Sequence, residues 1–206
     1  MINNSHILCI ASNSASRKRL LEHAKIPFQV IQQDADESLV SLDQSLSDIV
    51  TQIAQLKMKH AQIPAGQQEG EIRFVLTADT LGLTSQGRVL CKPVDRDDAI
   101  SMLKDARLGT QTATGFCLRK LIWQHGAWIV LQEVIDFDQA ESIFDVPDEF
   151  IDSYLDSIPF LTVSGSISIE EAGGQFLKSM NGSYETIVGL PMFKIRQALF
   201  KMGFYE

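Results

Sequence analysis

The sequence predicts an α/β fold built on a mixed sheet. Three observations predict it. Short continuous apolar runs alternate with amphipathic stretches through the first half of the chain. The middle carries two longer strand-like runs separated by a tight turn signal. The last part returns to helix signals headed by proline.

The first strand signal is Ile7-Leu8-Cys9-Ile10-Ala11, apolar throughout, as expected for a strand buried on both faces. A polar loop, Ser12-Asn13-Ser14-Ala15-Ser16, follows and is rich in helix N-cap residues. Residues 17–25 read as a helix with Leu20, Leu21 and Ala24 on one face, ended by Pro27. Phe28-Gln29-Val30-Ile31 reads as a second strand, and Asp34-Ala35-Asp36-Glu37 as an acidic loop. Residues 45–61 form a long amphipathic helix with Leu46, Ile49, Ile53 and Leu56 at helical spacing. A polar connection over 64–71 leads to Phe74-Val75-Leu76-Thr77, a third strand that delivers Ala78-Asp79-Thr80 at its end.

Ser85-Gln86-Gly87-Arg88 reads as a turn, and 95–106 as a helix. Residues 112–121 and 127–137, joined at Gln124-His125-Gly126, suit an antiparallel hairpin. Residues 147–157 form a helix with proline at its head and acids in its first turn. Gly173-Gly174 precedes a short strand over 175–178. Pro191 opens a closing helix that runs to about Lys201 and is stopped by Gly203.

With 206 residues, 45% of them hydrophobic, the chain can bury a substantial core in one domain or two joined lobes. A formal net charge of −8 argues against a nucleic-acid polymer or an anionic membrane as partner. It leaves room for a small anionic substrate, which needs only a local cluster of cations. Met1 to His6 lack the basic start of a signal peptide. No apolar run approaches the roughly 18–20 residues that span a bilayer. Cys9, Cys91 and Cys117 show no metal or disulfide spacing, and Cys9 and Cys117 read as buried thiols. A reducing cytoplasm fits this cysteine usage.

Several residues have chemical potential. A strand that feeds a serine-rich loop and then a helix points backbone N–H groups at an anion. Ser12 and Ser14 add hydroxyls there, and Arg17 adds a fork matched to phosphate oxygens. The alternative is a plain N-cap followed by a solvated Arg17-Lys18-Arg19 cluster. Asp79, at a strand's carboxyl end, stands where α/β ligand sites open. A buried carboxylate there needs a cation, a metal or water, and the alternative is an Asx-turn closing the strand. Lys92 is held extended by Pro93 and suits a phosphate, or is a surface lysine. Lys57 lies at the edge of the helix's apolar stripe and either reaches into a site or snorkels past the core. Asp36 and Glu37 would hold a divalent cation with Asp79, or form a solvated loop.

In order and setting, these residues resemble the Maf family of nucleotide pyrophosphatases along nearly the whole chain. Leu8-Cys9-Ile10-Ala11-Ser12-Asn13-Ser14-Ala15-Ser16-Arg17 matches the family's L-A-S-x-S-x-x-R opening. Asp36-Glu37, Ala54-Gln55-Leu56-Lys57, Ala78-Asp79-Thr80, Lys92-Pro93 and Thr114-Gly115 match its D-E, A-x-x-K, A-D-T, K-P and T-G motifs. Gly182-Ser183-Tyr184 and Val188-Gly189-Leu190-Pro191 match its closing motifs. The resemblance implies a two-lobed α/β fold with an elongated mixed sheet and a central nucleotide cleft, all in one Maf-like domain. It implies a cytoplasmic, homodimeric, magnesium- or manganese-dependent enzyme that cleaves a nucleoside triphosphate to the monophosphate and pyrophosphate. A link to septum formation comes with the family. Asp79 is then the candidate base, Asp79 and Glu37 the candidate metal ligands, and Arg17, Lys57 and Lys92 the phosphate ligands, with Lys92 also in the catalytic set. Ser12 and Ser14 position the phosphates.

Departures from the family pattern include Ser16 for an arginine and Cys91 for the glycine before K-P. Counting back from Gly182, Glu170 replaces the family's base-pocket glutamine and Glu171 the glycine after it. A carboxylate accepts from two adjacent donors, as guanine offers, and favours the positive charge of 7-methylguanine. Glu170 therefore gives an expected preference for 7-methyl-GTP, the substrate of the subgroup with glutamate here. The alternatives are a dTTP/UTP pyrophosphatase, a solvent-facing Glu170, and a non-catalytic nucleotide-binding regulator. Trp123, Trp128 and Tyr184 are aromatic candidates for stacking without an assigned role.

Overall fold

A computed structural model describes residues 6–206. Met1 to Ser5, read above as lacking a basic leader, lie outside the described residues. In chain order the regular elements are β1 (Leu8–Ile10), α1 (Ala15–His23), β2 (Phe28–Val30), α2 (Leu46–Lys59), β3 (Ile72–Thr84) and β4 (Val89–Leu90). They continue with α3 (Arg96–Ala106), β5 (Thr110–Gln124), β6 (Ala127–Phe144), α4 (Ile151–Ser157), β7 (Leu177–Asn181), α5 (Tyr184–Val188) and α6 (Met192–Lys201). The strands hydrogen-bond in the order β2-β1-β3-β5-β6-β7, with β4 paired to β3. Pairing is parallel between β1 and β2 and between β1 and β3, and antiparallel between β3 and β4 and between β6 and β7. This is the expected α/β fold with a mixed sheet.

The chain divides into two compact units. The first comprises the chain up to Asp79, Gly115–Phe137 and Gly189–Glu206. Its core includes Cys9, Ala11, Ala54, Met58, Val75, Cys117 and Leu121, so α2 packs on β1, β3 and β5. Burial pushes the Cys117 thiol up to about 12 and raises that of Cys9, as befits inert core residues. The expected hairpin is present and longer than its apolar runs. Its two-residue turn, His125-Gly126, has positive φ at both residues (52° and 76°), the type I′ geometry that matches strand twist. Trp123 and Trp128 pack edge to face at 5.1 Å near this turn, and the Trp128 indole donates to the Pro64 carbonyl. Both rings therefore have structural partners.

The second unit comprises Thr80–Thr114 and Asp138–Val188. Ala99, Leu103, Phe144, Val146, Tyr154 and Leu155 form its core. Asp95 caps α3 by accepting from the Asp98 N–H. The helix expected over 147–157 is a 3₁₀ turn, Asp148–Phe150, followed by α4. The strand expected over 175–178 begins later, as β7, because a 3₁₀ segment occupies Glu171–Phe176. Among the described residues no helix is long and apolar enough to cross a membrane.

Candidate active site

Residues with side chains on one face of a strand recur at every second position. Val75, Thr77 and Asp79 therefore share a face of β3, and Val75 packs in the cluster that contains Ala54 and Met58 of α2. Asp79 does not end its strand as its apolar run implied. β3 continues to Thr84, because the segment after Asp79 pairs with β4 in the second unit. This also removes the Asx-turn reading. The parallel pairing of β1 with β3 covers Leu8 to Ile10 and Phe74 to Leu76, so Ser12 and Asp79 both follow the carboxyl ends of paired parallel segments.

α2 is capped by Ser45, whose hydroxyl accepts from the Asp48 N–H. Its buried stripe runs through Ile49, Val50, Ile53, Ala54, Lys57 and Met58. Lys57 does not snorkel to solvent. Its Nζ donates to Asp79 Oδ1 at 2.6 Å and lies 2.9 Å from Glu37 Oε1, with the lysine and aspartate side chains each only 8% exposed. Burial raises the Asp79 pKa, while Lys57 and Arg17 pull it down. Asp79 Oδ2 is buried and has no hydrogen-bond partner. Such an atom is costly unless a ligand, water or cation meets it.

Asp36 and Glu37 divide their labour. Asp36 Oδ1 accepts from the Ser38 N–H at 3.1 Å and from its hydroxyl at 2.6 Å, capping the 3₁₀ turn Glu37–Leu39. These bonds lower the Asp36 pKa. Glu37 alone turns to Lys57.

Ser14 is the N-cap of α1, its Oγ accepting from the Arg17 N–H at 3.4 Å. Ser12 Oγ accepts from the Ser14 N–H at 3.3 Å and from Arg17 Nη1 at 3.2 Å. Arg17 Nε donates to the Gly189 carbonyl at 2.9 Å. Arg17 is buried, which overturns the solvated-cluster alternative. Desolvation lowers its pKa, and Asp79 and Glu37 offset that; a guanidinium stays charged regardless. The Gly189 contact was not legible from residue types, because it uses a backbone oxygen. The only signal was the V-G-L-P motif, and Gly189 sits at φ +132°, a region that favours glycine.

Lys92 and Glu170 belong to the second unit. Lys92 is exposed. The carbonyl of Cys91 before it accepts from the Gly165 N–H at 2.8 Å. Gly165 has φ +64°, and a Cβ there would meet Leu90 Cδ1 at 2.9 Å. Cys91 is not among the positive-φ residues, so its backbone conformation does not call for the glycine that the resemblance implies there. Tyr154 fixes the following loop, donating to the Ser166 carbonyl and accepting from the Ser168 N–H, each at 2.9 Å. Glu170 is half-buried with extended backbone at the end of that loop. The Glu171 side chain lies outside the described residues.

Among the described residues no group of three or more His, Cys, Asp or Glu side chains gathers to hold a metal. The Asp79–Glu37 pair with its orphaned Oδ2 still fits magnesium or manganese. Such ions are commonly held through one or two carboxylates, with substrate phosphates and water completing the shell.

Charged side chains collected after the carboxyl ends of parallel strands mark the α/β proteins that take ligands at that edge. The chain belongs to the Maf family: the family described as Maf-like protein matches residues 7–202. A dTTP/UTP pyrophosphatase of Ruminiclostridium cellulolyticum is 30% identical over 201 residues, covering 95% of this chain and 96% of that protein. Proteins of the same name from Bacillus cereus strain G9842 and Xanthomonas axonopodis pv. citri are each 31% identical, over 195 and 198 residues. They cover 93% and 96% of this chain, and 93% and 99% of their own lengths.

Proposed function

We propose that this Maf-family hydrolase cleaves a nucleoside triphosphate at the α-phosphorus, releasing the monophosphate and pyrophosphate. The observation that carries the reading is the buried Lys57–Asp79 pair with an orphaned Asp79 Oδ2. A carboxylate with a raised pKa is a better general base near neutrality than an ordinary one. In this reading Asp79 takes the proton of the attacking water at Oδ2. Arg17 and Lys57 supply fixed positive charge against the oxygens on which charge develops, and Lys92 carries over as a third such cation from the K-P motif. Ser12 and Ser14 hold Arg17 and the head of α1 in place to receive the phosphates. Glu37 and Asp79 would hold magnesium or manganese. When bound, that ion supplies charge neutralisation at the phosphates. A purely regulatory nucleotide binder has no use for a buried base. A homodimer, checked by analytical ultracentrifugation, belongs to the same proposal.

The names of the relatives support dTTP and UTP as substrates. A second reading, 7-methyl-GTP, is favoured by one feature: a glutamate at position 170, where the resemblance to the family implies a glutamine. Initial rates on dTTP, UTP, 7-methyl-GTP and GTP with magnesium test both. Fastest hydrolysis of dTTP or UTP supports the first reading, and fastest hydrolysis of 7-methyl-GTP supports the second. No pyrophosphate from any of them rejects the activity.

A further inference from the structure

We propose that Thr77 is a positioning residue that holds the Lys57 ammonium on Asp79. Its hydroxyl, fully buried, donates to the Ala54 carbonyl of α2 at 2.7 Å. Ala54 precedes Lys57 by three residues, so both lie on the same helix face. Thr77 precedes Asp79 by two, so both lie on the same strand face. The Thr77–Ala54 hydrogen bond and the Asp79–Lys57 ion pair are therefore consecutive rungs between β3 and α2. Two strand residues advance about 6.6 Å, whereas three helical residues advance about 4.5 Å. The long lysine stem makes up the difference, and only if the first rung is fixed does the ammonium arrive at one place.

A third contact extends the same stripe. A Cβ on Gly115 of β5 would lie 2.6 Å from the Val50 carbonyl carbon and 2.7 Å from the Thr51 nitrogen. The helix backbone thus rests directly on β5 at Val50, one turn before Ala54. Val50, Ala54 and Lys57 are spaced i, i+4, i+7 on α2, so Gly115 sets how closely the helix approaches and Thr77 sets how far along it lies. A hydroxyl buried in an apolar core costs stability unless it is bonded. Valine has nearly the same shape and would fill the site without that cost. The threonine is explained by the register it enforces.

For its kinetic arm the proposal rests on the catalytic reading of Lys57 and Asp79. T77V is expected to lower turnover about tenfold, the scale expected when a reacting group is displaced by a fraction of an ångström. T77S, which keeps the hydroxyl, is expected to restore most of it. In a K57M background, or K57Q where K57M does not fold, T77V is expected to change turnover less than about twofold, because its effect runs through Lys57. An equal loss in both backgrounds, or no rescue by T77S, overturns the proposal. A second arm needs no activity. Urea unfolding of K57M, D79N and their combination measures the Lys57–Asp79 coupling, with and without T77V. The coupling is expected to shrink when T77V is present, and an unchanged coupling overturns the proposal. If the parent protein cleaves no nucleoside triphosphate, the functional reading fails and the unfolding cycle decides the role of Thr77.

Discussion

One buried ammonium joins two carboxylates: Lys57 Nζ is 2.6 Å from Asp79 Oδ1 and 2.9 Å from Glu37 Oε1. The two acids reach it from different segments, a 3₁₀ turn and the middle of β3. Removing a partner from a buried ion pair leaves an uncompensated charge, which costs far more than the pair contributes. K57M is expected to lower stability by about 3 kcal/mol and to abolish most turnover. Urea denaturation checks the first effect. A loss below about 0.5 kcal/mol, the size of a surface substitution, contradicts it.

Asp79 itself is predicted to behave in the opposite sense. Burial holds its folded pKa above the ordinary value of 3.8. The folded state then binds the proton more tightly than the unfolded chain does. Stability from this group is full below about pH 3.8 and is lost as pH rises through the folded value. D79N removes the ionisation. The stability of D79N relative to the parent is therefore expected to rise from acid pH toward neutrality, measured as unfolding midpoints across pH. A difference that falls over that range contradicts the sign.

Substitution of Glu170 tests the two base preferences against each other. If it accepts from a purine edge, E170Q is expected to lower the rate on 7-methyl-GTP relative to dTTP by about tenfold, one lost charge-assisted hydrogen bond. A ratio unchanged by E170Q, measured from initial rates on both nucleotides, removes Glu170 from base selection.

The parts of the site that depend on local pattern were legible in the sequence. The serine-rich loop after the first strand offers N-cap residues, and Ser14 is the one that caps α1. The edge of a buried stripe leaves Lys57 open between a site and solvent, and the 2.6 Å contact with Asp79 decides for the site. The apolar run stops at Thr77 and so puts Asp79 at a strand end, yet a strand follows backbone pairing: Gly82 and Leu83 pair with β4, and β3 runs to Thr84. The hairpin exceeded its expected length for the same reason. β6 carries exposed Ile129, Val130 and Leu131, and its extent is set by its partners. Thr77 and Gly115 gave no local signal. A threonine in a strand reads as a β-former, and a glycine in a strand as a weak point. Their roles exist only once α2 lies across β3 and β5.

The most direct test of the account is product analysis of dTTP incubated with magnesium and either the parent protein or D79N. The parent is expected to release pyrophosphate and dTMP in equal amounts. D79N is expected to bind dTTP, as shown by equilibrium titration, and to release none. Pyrophosphate release by D79N at the parent's rate, or release of orthophosphate in place of pyrophosphate by the parent, would contradict the assignment of Asp79 as the base of a nucleotide pyrophosphatase.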